Sequence, residues 1–172
     1  MNREKYKTIL HYIIQECGSK PNFGKTVLWK LLYFVDFDFY ELYEEKLTGE
    51  NYKNINYGPA PEHFDDIIKE LKSKKLISEV KQRVFAYDKQ RYIALKEPNF
   101  KSLSAHEKEV IDNVISRYGS YNAKKIKEVV HQDIPVKATK PKERIDYDLV
   151  FYREPPFSVR SYDETLNERK WK

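Results

Sequence analysis

Three groups of residues have types and spacing that could do chemistry. Gly24-Lys25-Thr26, with Gly18 upstream, carries the parts of a phosphate-cradling loop, in which backbone amides and a lysine hold the phosphates and a hydroxyl holds magnesium. The glycines stand one residue further apart than that loop allows, and helical periodicity precedes them where a strand is required, so a turn between helices is the expected reading. Glu62, His63, Asp65 and Asp66 are ligand-type groups, yet on a helix His63 and Asp66 share a face while Phe64 turns inward, and nothing supplies a second metal-binding pair. A solvated acidic first turn facing the positive end of a helix dipole accounts for them. His11, His63, His106 and His131 fall on different expected elements, with no nucleophile and base at a telling spacing. No catalytic residue, metal ligand or cofactor is assigned, and the chain is not expected to be an enzyme.

The elements that would position any site are mostly helices. Tyr6, Ile9, Leu10, Ile13, Ile14 and Cys17 recur three and four apart, one helical face, with Gly18 as the stop. From about Lys25 to Glu44, Leu28, Leu31, Leu32, Val35, Phe39 and Leu42 form one stripe and Trp29, Tyr33, Phe37 and Tyr40 a second; a helix apolar on most of its circumference is a central one. Gly58-Pro59-Ala60-Pro61 reads as a turn delivering Pro61 to the first helical position, and the next helix turns Phe64, Ile67, Ile68 and Leu71 inward. Ile77 to Tyr87 and Gln90 to Leu95, parted by Asp88-Lys89, read as a hairpin, so that helix and hairpin together are winged-helix-like. Ser104-Ala105-His106-Glu107 is a capping box, Asn122 an N-cap, and Arg144 to Arg153 a short helix or strand. The expected fold class is therefore mainly α (α+β), a compact helical domain with a small hairpin.

Composition narrows the classes further. A chain of 172 residues hides enough surface to fold without a metal or disulfide staple. Its single cysteine, Cys17, lies on an apolar helical stripe, as a small buried hydrophobe in a reducing compartment would. Apolar runs are far too short to span a bilayer and no signal-peptide pattern is present, so a cytoplasmic location without membrane contact is expected. Net charge is a modest +5, but Lys69 to Arg91 holds eight Lys or Arg against three acids, and a basic wing could touch phosphates. The helix after the Gly18 to Phe23 connection is too apolar to read base edges, so any nucleic-acid contact should be weak and non-specific. Fourteen tyrosines and nine phenylalanines suit protein interfaces as well as cores.

Lys30-Leu31-Leu32-Tyr33-Phe34, then Thr48-Gly49, then Tyr57-Gly58-Pro59 resemble the Panacea, or SocA-like antitoxin, domain family (DUF4065). The resemblance extends through the Leu71 to Ile77 helix end, the Leu103-Ser104 to Glu107 helix opening and the Tyr118-Gly119 to His131 stretch, covering most of residues 5 to 150. It implies a bacterial or phage antitoxin that neutralises a cognate protein toxin encoded beside it, by direct binding or, in one branch, as an adaptor delivering the toxin to a protease. Toxin partners of such domains are diverse and include alarmone-synthetase-like enzymes, and an oligomer with the toxin fits this reading. Many members carry a further DNA-binding domain; the chain departs from that pattern, which counts against repression of its own operon. A winged-helix-like nucleic-acid-binding regulator is the alternative.

On this reading residues 1 to 153 form the helical domain and residues 154 to 172 an extended tail beyond the resemblance. The tail carries Phe157, Arg160, Tyr162 and Trp171, aromatic and arginine residues of the kind that anchor interfaces. With Tyr57, Gly58 and Pro59 they are the candidate partner-binding residues. For each group there is a plainer account: Gly58 and Pro59 set a turn, and the tail packs on its own domain.

Overall fold

A computed structural model describes residues 1–160. Helix α1 (Arg3–Cys17) starts at Asn2, whose side chain accepts the Lys5 amide at 3.1 Å. Helix α2 (Lys25–Tyr43) ends where Glu44 turns left-handed, at φ 57°. It is the central element: α4 (Ala105–Tyr118), α5 (Ala123–Val130), an antiparallel pair of strands, β1 (Tyr52–Ile55) and β2 (Gly58–Pro61), and a 3-10 segment (Tyr147–Tyr152) all pack on it. Both stripes are used, and so is Phe34 beside them. Phe34 stacks on Tyr118 at 4.1 Å between ring centroids and Phe37 on Tyr147 at 4.3 Å, and Leu28, Leu31, Leu32 and Val35 are wholly buried. Helix α3 (Phe64–Ser73) lies on α1 and leads into the hairpin β3 (Ile77–Val84) and β4 (Tyr87–Ala94). The short helix α6 (Ile134–Lys137) packs against the 3-10 segment. The fold is thus α-dominant with two small hairpins, and the capping box at Ser104 and Glu107 and the Asn122 cap form as expected.

Three local expectations are corrected. Gly58-Pro59-Ala60-Pro61 is a strand, paired residue for residue with Tyr52–Ile55, and the turn is Asn56-Tyr57. Strand β1 meets the Glu143–Ile145 segment on its other side, where Asn54 donates to the Glu143 carbonyl at 2.9 Å. That leaves β2 at the edge, where prolines without amide hydrogens are tolerated. Helix α3 consequently starts at Phe64, not at Pro61. In the second hairpin the turn is Phe85-Ala86, with Phe85 left-handed at φ 55°, and Asp88-Lys89 lie within β4. Burial decides the register: it puts Ile77 and Tyr92, both buried, on the core side, and a slip of one residue would turn Tyr92 out. Finally, Glu154 to Phe157 form a turn in place of an extended chain, the Phe157 amide donating to the Glu154 carbonyl at 2.9 Å.

Among the described residues no helix is long and apolar enough to cross a membrane.

Candidate functional site

The start of α2, the β3–β4 hairpin, the Asn56-Tyr57 turn and the start of α5 surround an open groove of about 1040 Å3. The sequence folds this way because α1 ends at Gly18, and a short turn, Ser19 to Phe23, reverses the chain into α2. The hairpin is pressed against that turn. A Cβ on Gly24 would lie 2.9 Å from Lys89 Cε and 3.2 Å from the Gln90 carbonyl oxygen, so glycine is what allows the approach. Lys89 donates to the Pro21 carbonyl at 2.6 Å, and Arg91 donates to the carbonyls of Gly18 and Lys20 at 2.9 and 3.0 Å. Arg91 thus meets the carbonyl end of α1 at its cap, Gly18, and Lys89 ties the hairpin to the connecting turn. Lys25 lies 5.0 Å from the ring centre of Trp29 and 3.7 Å from the exposed carboxylate of Asp65.

Lys30 forms the floor. It is wholly buried, and its ammonium donates to the Pro59 carbonyl at 2.9 Å, with no carboxylate in ion-pair reach among the described residues. Burial, and then the charge of Lys127, pull its pKa down to about 7. The three residues Tyr57, Gly58 and Pro59 are joined to it geometrically. Pro59 supplies the acceptor. Gly58, at φ +98°, brings the strand so close that a Cβ would meet Val130 Cγ1 at 2.9 Å and Lys30 Cε at 3.1 Å. Tyr57 is exposed at the rim, under the ammonium of Lys127 at 4.9 Å.

Two buried polar networks hold α2 in place behind the groove. Arg153 is wholly buried and bidentate to Asp133 at 2.9 and 2.7 Å, and it also donates to Asp38 at 2.8 Å and Glu41 at 3.1 Å. Burial pushes Asp38 up to about 6 against the pull of Arg153. Glu41 goes on to accept the Ser158 hydroxyl at 2.7 Å and the amides of Val159 and Arg160, so the chain after Arg153 is tied to α2. In the second network Asp36 accepts the Thr48 amide and hydroxyl at 3.0 and 2.7 Å and the Tyr52 hydroxyl at 2.5 Å. Burial raises Asp36 to about 6 as well. Glu50 accepts from the Tyr6 hydroxyl at 2.5 Å and the His63 amide at 2.9 Å.

The candidate partner residues divide between places. Tyr57 lines the groove, whereas Phe157 is half-buried against the core and lines a second cleft of about 560 Å3 with Arg117, Tyr118 and Tyr121. Arg160 pairs with Glu44 at 3.3 Å and lies over Phe151. Tyr162 and Trp171 fall outside the described residues. Up to Arg160, then, the chain beyond Arg153 packs on its own domain. Among the ligand-type groups, Glu62 is held by Arg144 through two contacts of 2.9 Å, and His63 by Glu50 at 2.7 Å. His11 and His131 meet the carbonyls of Lys96 and Lys127, and no group of three or more His, Cys, Asp or Glu gathers as a metal would need among the described residues. Sequence reasoning missed Lys30, Arg153 and the α2 carboxylates. A lysine inside the run Trp29 to Val35 was the available signal, because an ammonium rarely sits on a buried helix without a task.

A family profile described as "Antitoxin SocA-like, Panacea domain" matches residues 28–135, well over half of the chain, and spans α2 through the start of α6. Nothing among curated proteins or solved structures matches.

Proposed function

Because the chain belongs to the antitoxin SocA-like, Panacea domain family, we propose that it neutralises a cognate protein toxin by binding it directly, using the β3–β4 hairpin and the rim of the groove beside it. The observation that carries this reading is the apolar surface the hairpin leaves in solvent. Phe85 at the tip is 96% exposed, and Tyr87, Val80 and Ile93 are exposed along the strands. Tyr87 lies opposite Val84, and Val80 opposite Arg91, so these side chains share a face with a guanidinium. Aromatic residues at a projecting edge are among the groups that dominate interface energetics, and Arg91, held by the Gly18 and Lys20 carbonyls, fixes the hairpin that presents them. Tyr57, across the groove, belongs to the same surface; Gly58 and Pro59 act by holding it there. Phe157 and Arg160 support the body from which the hairpin projects.

Co-expression with the toxin encoded beside it tests this. The wild-type chain restores growth and copurifies with the toxin, and Phe85→Asp combined with Tyr87→Asp abolishes both while leaving the thermal melt unchanged. Rescue and copurification that survive the double change would move the interface off the hairpin. Rescue accompanied by disappearance of the toxin, and abolished in a protease-deficient host, would replace direct binding with delivery to a protease.

A further inference from the structure

We propose that the groove at the start of α2 is a nucleotide-binding site, with phosphate groups held at the helix's first turn between Lys25 and Lys89 and the base lying against the rim tyrosines Tyr57 and Tyr87. This site lies inside the rim assigned to the toxin and shares Tyr57 and Tyr87 with it, but it stands on the basic lining of the groove, so it does not depend on the toxin reading.

The lining is strongly one-signed. Lys25, Lys30, Lys81, Lys89, Arg91 and Lys124 all line the groove, against Asp88 as the one acid in that lining. They come from α2, both strands of the hairpin and the start of α5. Among the described residues, Lys25 is the one cation of the six that has a carboxylate within 4.0 Å, at the edge of that reach. Cations brought together from four elements with a single carboxylate partner among them cost folding energy, and an anion in the groove offsets it.

Donors other than cations converge on the same place. Gly24 caps α2 without a side chain, so the amides of Lys25, Thr26 and Val27 have neither a capping side chain nor an intrahelical acceptor. The helix is 19 residues long and presents the full positive end of its dipole. Two buried groups add to this: Lys30 on the floor, with one backbone acceptor and no carboxylate, and the indole Nε1 of Trp29 in the wall, which is buried with no acceptor at all. Burial and neighbouring cations lower the pKa of both Lys30 and Lys89, and an anion bound beside them would raise it again.

Shape and aromatic content separate a nucleotide from other polyanions. About 1040 Å3 is at the upper end of what small-molecule sites enclose, enough for a base, a sugar and a phosphate chain. Acidic peptide side chains would use the lysines but leave the rim rings Tyr57 and Tyr87 without a planar partner, whereas a base stacks on such rings.

Trp29 provides the readout. In a Trp171→Phe variant, Trp29 is the sole tryptophan, and its fluorescence should change saturably on titration with ATP, less strongly with AMP and not at all with adenosine. Lys25→Ala and Lys89→Ala should each weaken ATP binding about tenfold, the loss of one hydrogen bond to a charged group, without lowering the thermal melt by more than a few degrees. Growth rescue from the toxin is scored separately with the same variants. The proposal is overturned if ATP at millimolar concentration produces no saturable change, or if adenosine binds as well as ATP. It is equally overturned if a Glu-rich peptide or a single-stranded oligonucleotide binds more tightly than ATP and displaces it, for then the groove docks a macromolecule.

Discussion

Replacing Arg153 by alanine removes the one cation among three carboxylates. The guanidinium makes four hydrogen bonds of 2.7 to 3.1 Å to Asp133, Asp38 and Glu41, and its side chain has no exposure to solvent. In such a place water cannot take over the pairing, and breaking a buried ion pair from one side costs about 3–5 kcal/mol. That is a large share of the ~5–15 kcal/mol by which domains of ordinary stability are folded. For a domain of this length each kcal/mol is worth roughly 2–4 °C, so the melting temperature should fall by about 6–20 °C. The loss should depend on pH. Asp38 already sits near 6 with Arg153 present; without it the carboxyl rises further and is neutral in mildly acid solution. The deficit should therefore be larger at pH 8 than at pH 5, read by denaturant unfolding of both proteins at each pH. Adding Asp38→Asn and Asp133→Asn to Arg153→Ala should return part of the loss, because the charges left unpaired are removed. A melt of Arg153→Ala within about two degrees of wild type, a shift below 1 kcal/mol, would refute the reasoning.

Other outcomes follow from the same geometry. Leu31→Ala or Leu32→Ala, both wholly buried, should cost about 2–5 kcal/mol and lose toxin rescue through unfolding, as a thermal melt will show. Gly58→Ala should cost about 1–3 kcal/mol, because its φ of +98° and its approach to Val130 and Lys30 both exclude a Cβ; an unchanged melt would mean that the strand shifts freely. Asp36 and Asp38 retain protons in the folded chain up to about pH 6 that the unfolded chain releases near 3.8. Their stabilising contribution is thus complete below the unfolded value and is lost as pH rises to about 6, so the unfolding free energy of wild type relative to Asp38→Asn should fall across that window. Truncation after Pro155 should lower the melting temperature measurably, since it removes the half-buried Phe157 and the Ser158, Val159 and Arg160 donors to Glu41.

Much of this was open to reading from local pattern, because helices advertise their buried face within a few residues. The stripe Tyr6 to Cys17, the two stripes of α2, the capping box at Ser104 and the Asn122 cap each involve residues no more than a few turns apart, and each formed as the spacing required. The motifs Lys30 to Phe34, Thr48-Gly49 and Tyr57-Gly58-Pro59 were likewise enough to place the chain in its family. What they do in the fold was not legible. Thr48 answers Asp36, and Pro59 answers Lys30, across distances in the chain that no periodicity spans.

Tertiary structure alone decided three things. Gly58 to Pro61 carries the signals of a turn and becomes a strand, because the Glu143–Ile145 segment takes the other edge of β1 and leaves β2 where amides are not needed. Asp36, Asp38 and Glu41 look like the solvated positions of a helix, but α2 has no solvated side, so partners had to come from Thr48, Tyr52 and Arg153. The groove itself exists in no segment. Its lysines are separated by up to a hundred residues and gather with one distant counter-ion, Asp65, because Phe64 of α3 packs between Trp29 of α2 and Tyr92 of the hairpin and holds these elements together. Local periodicity determines which residues are buried; only the docking of elements determines which charges face one another.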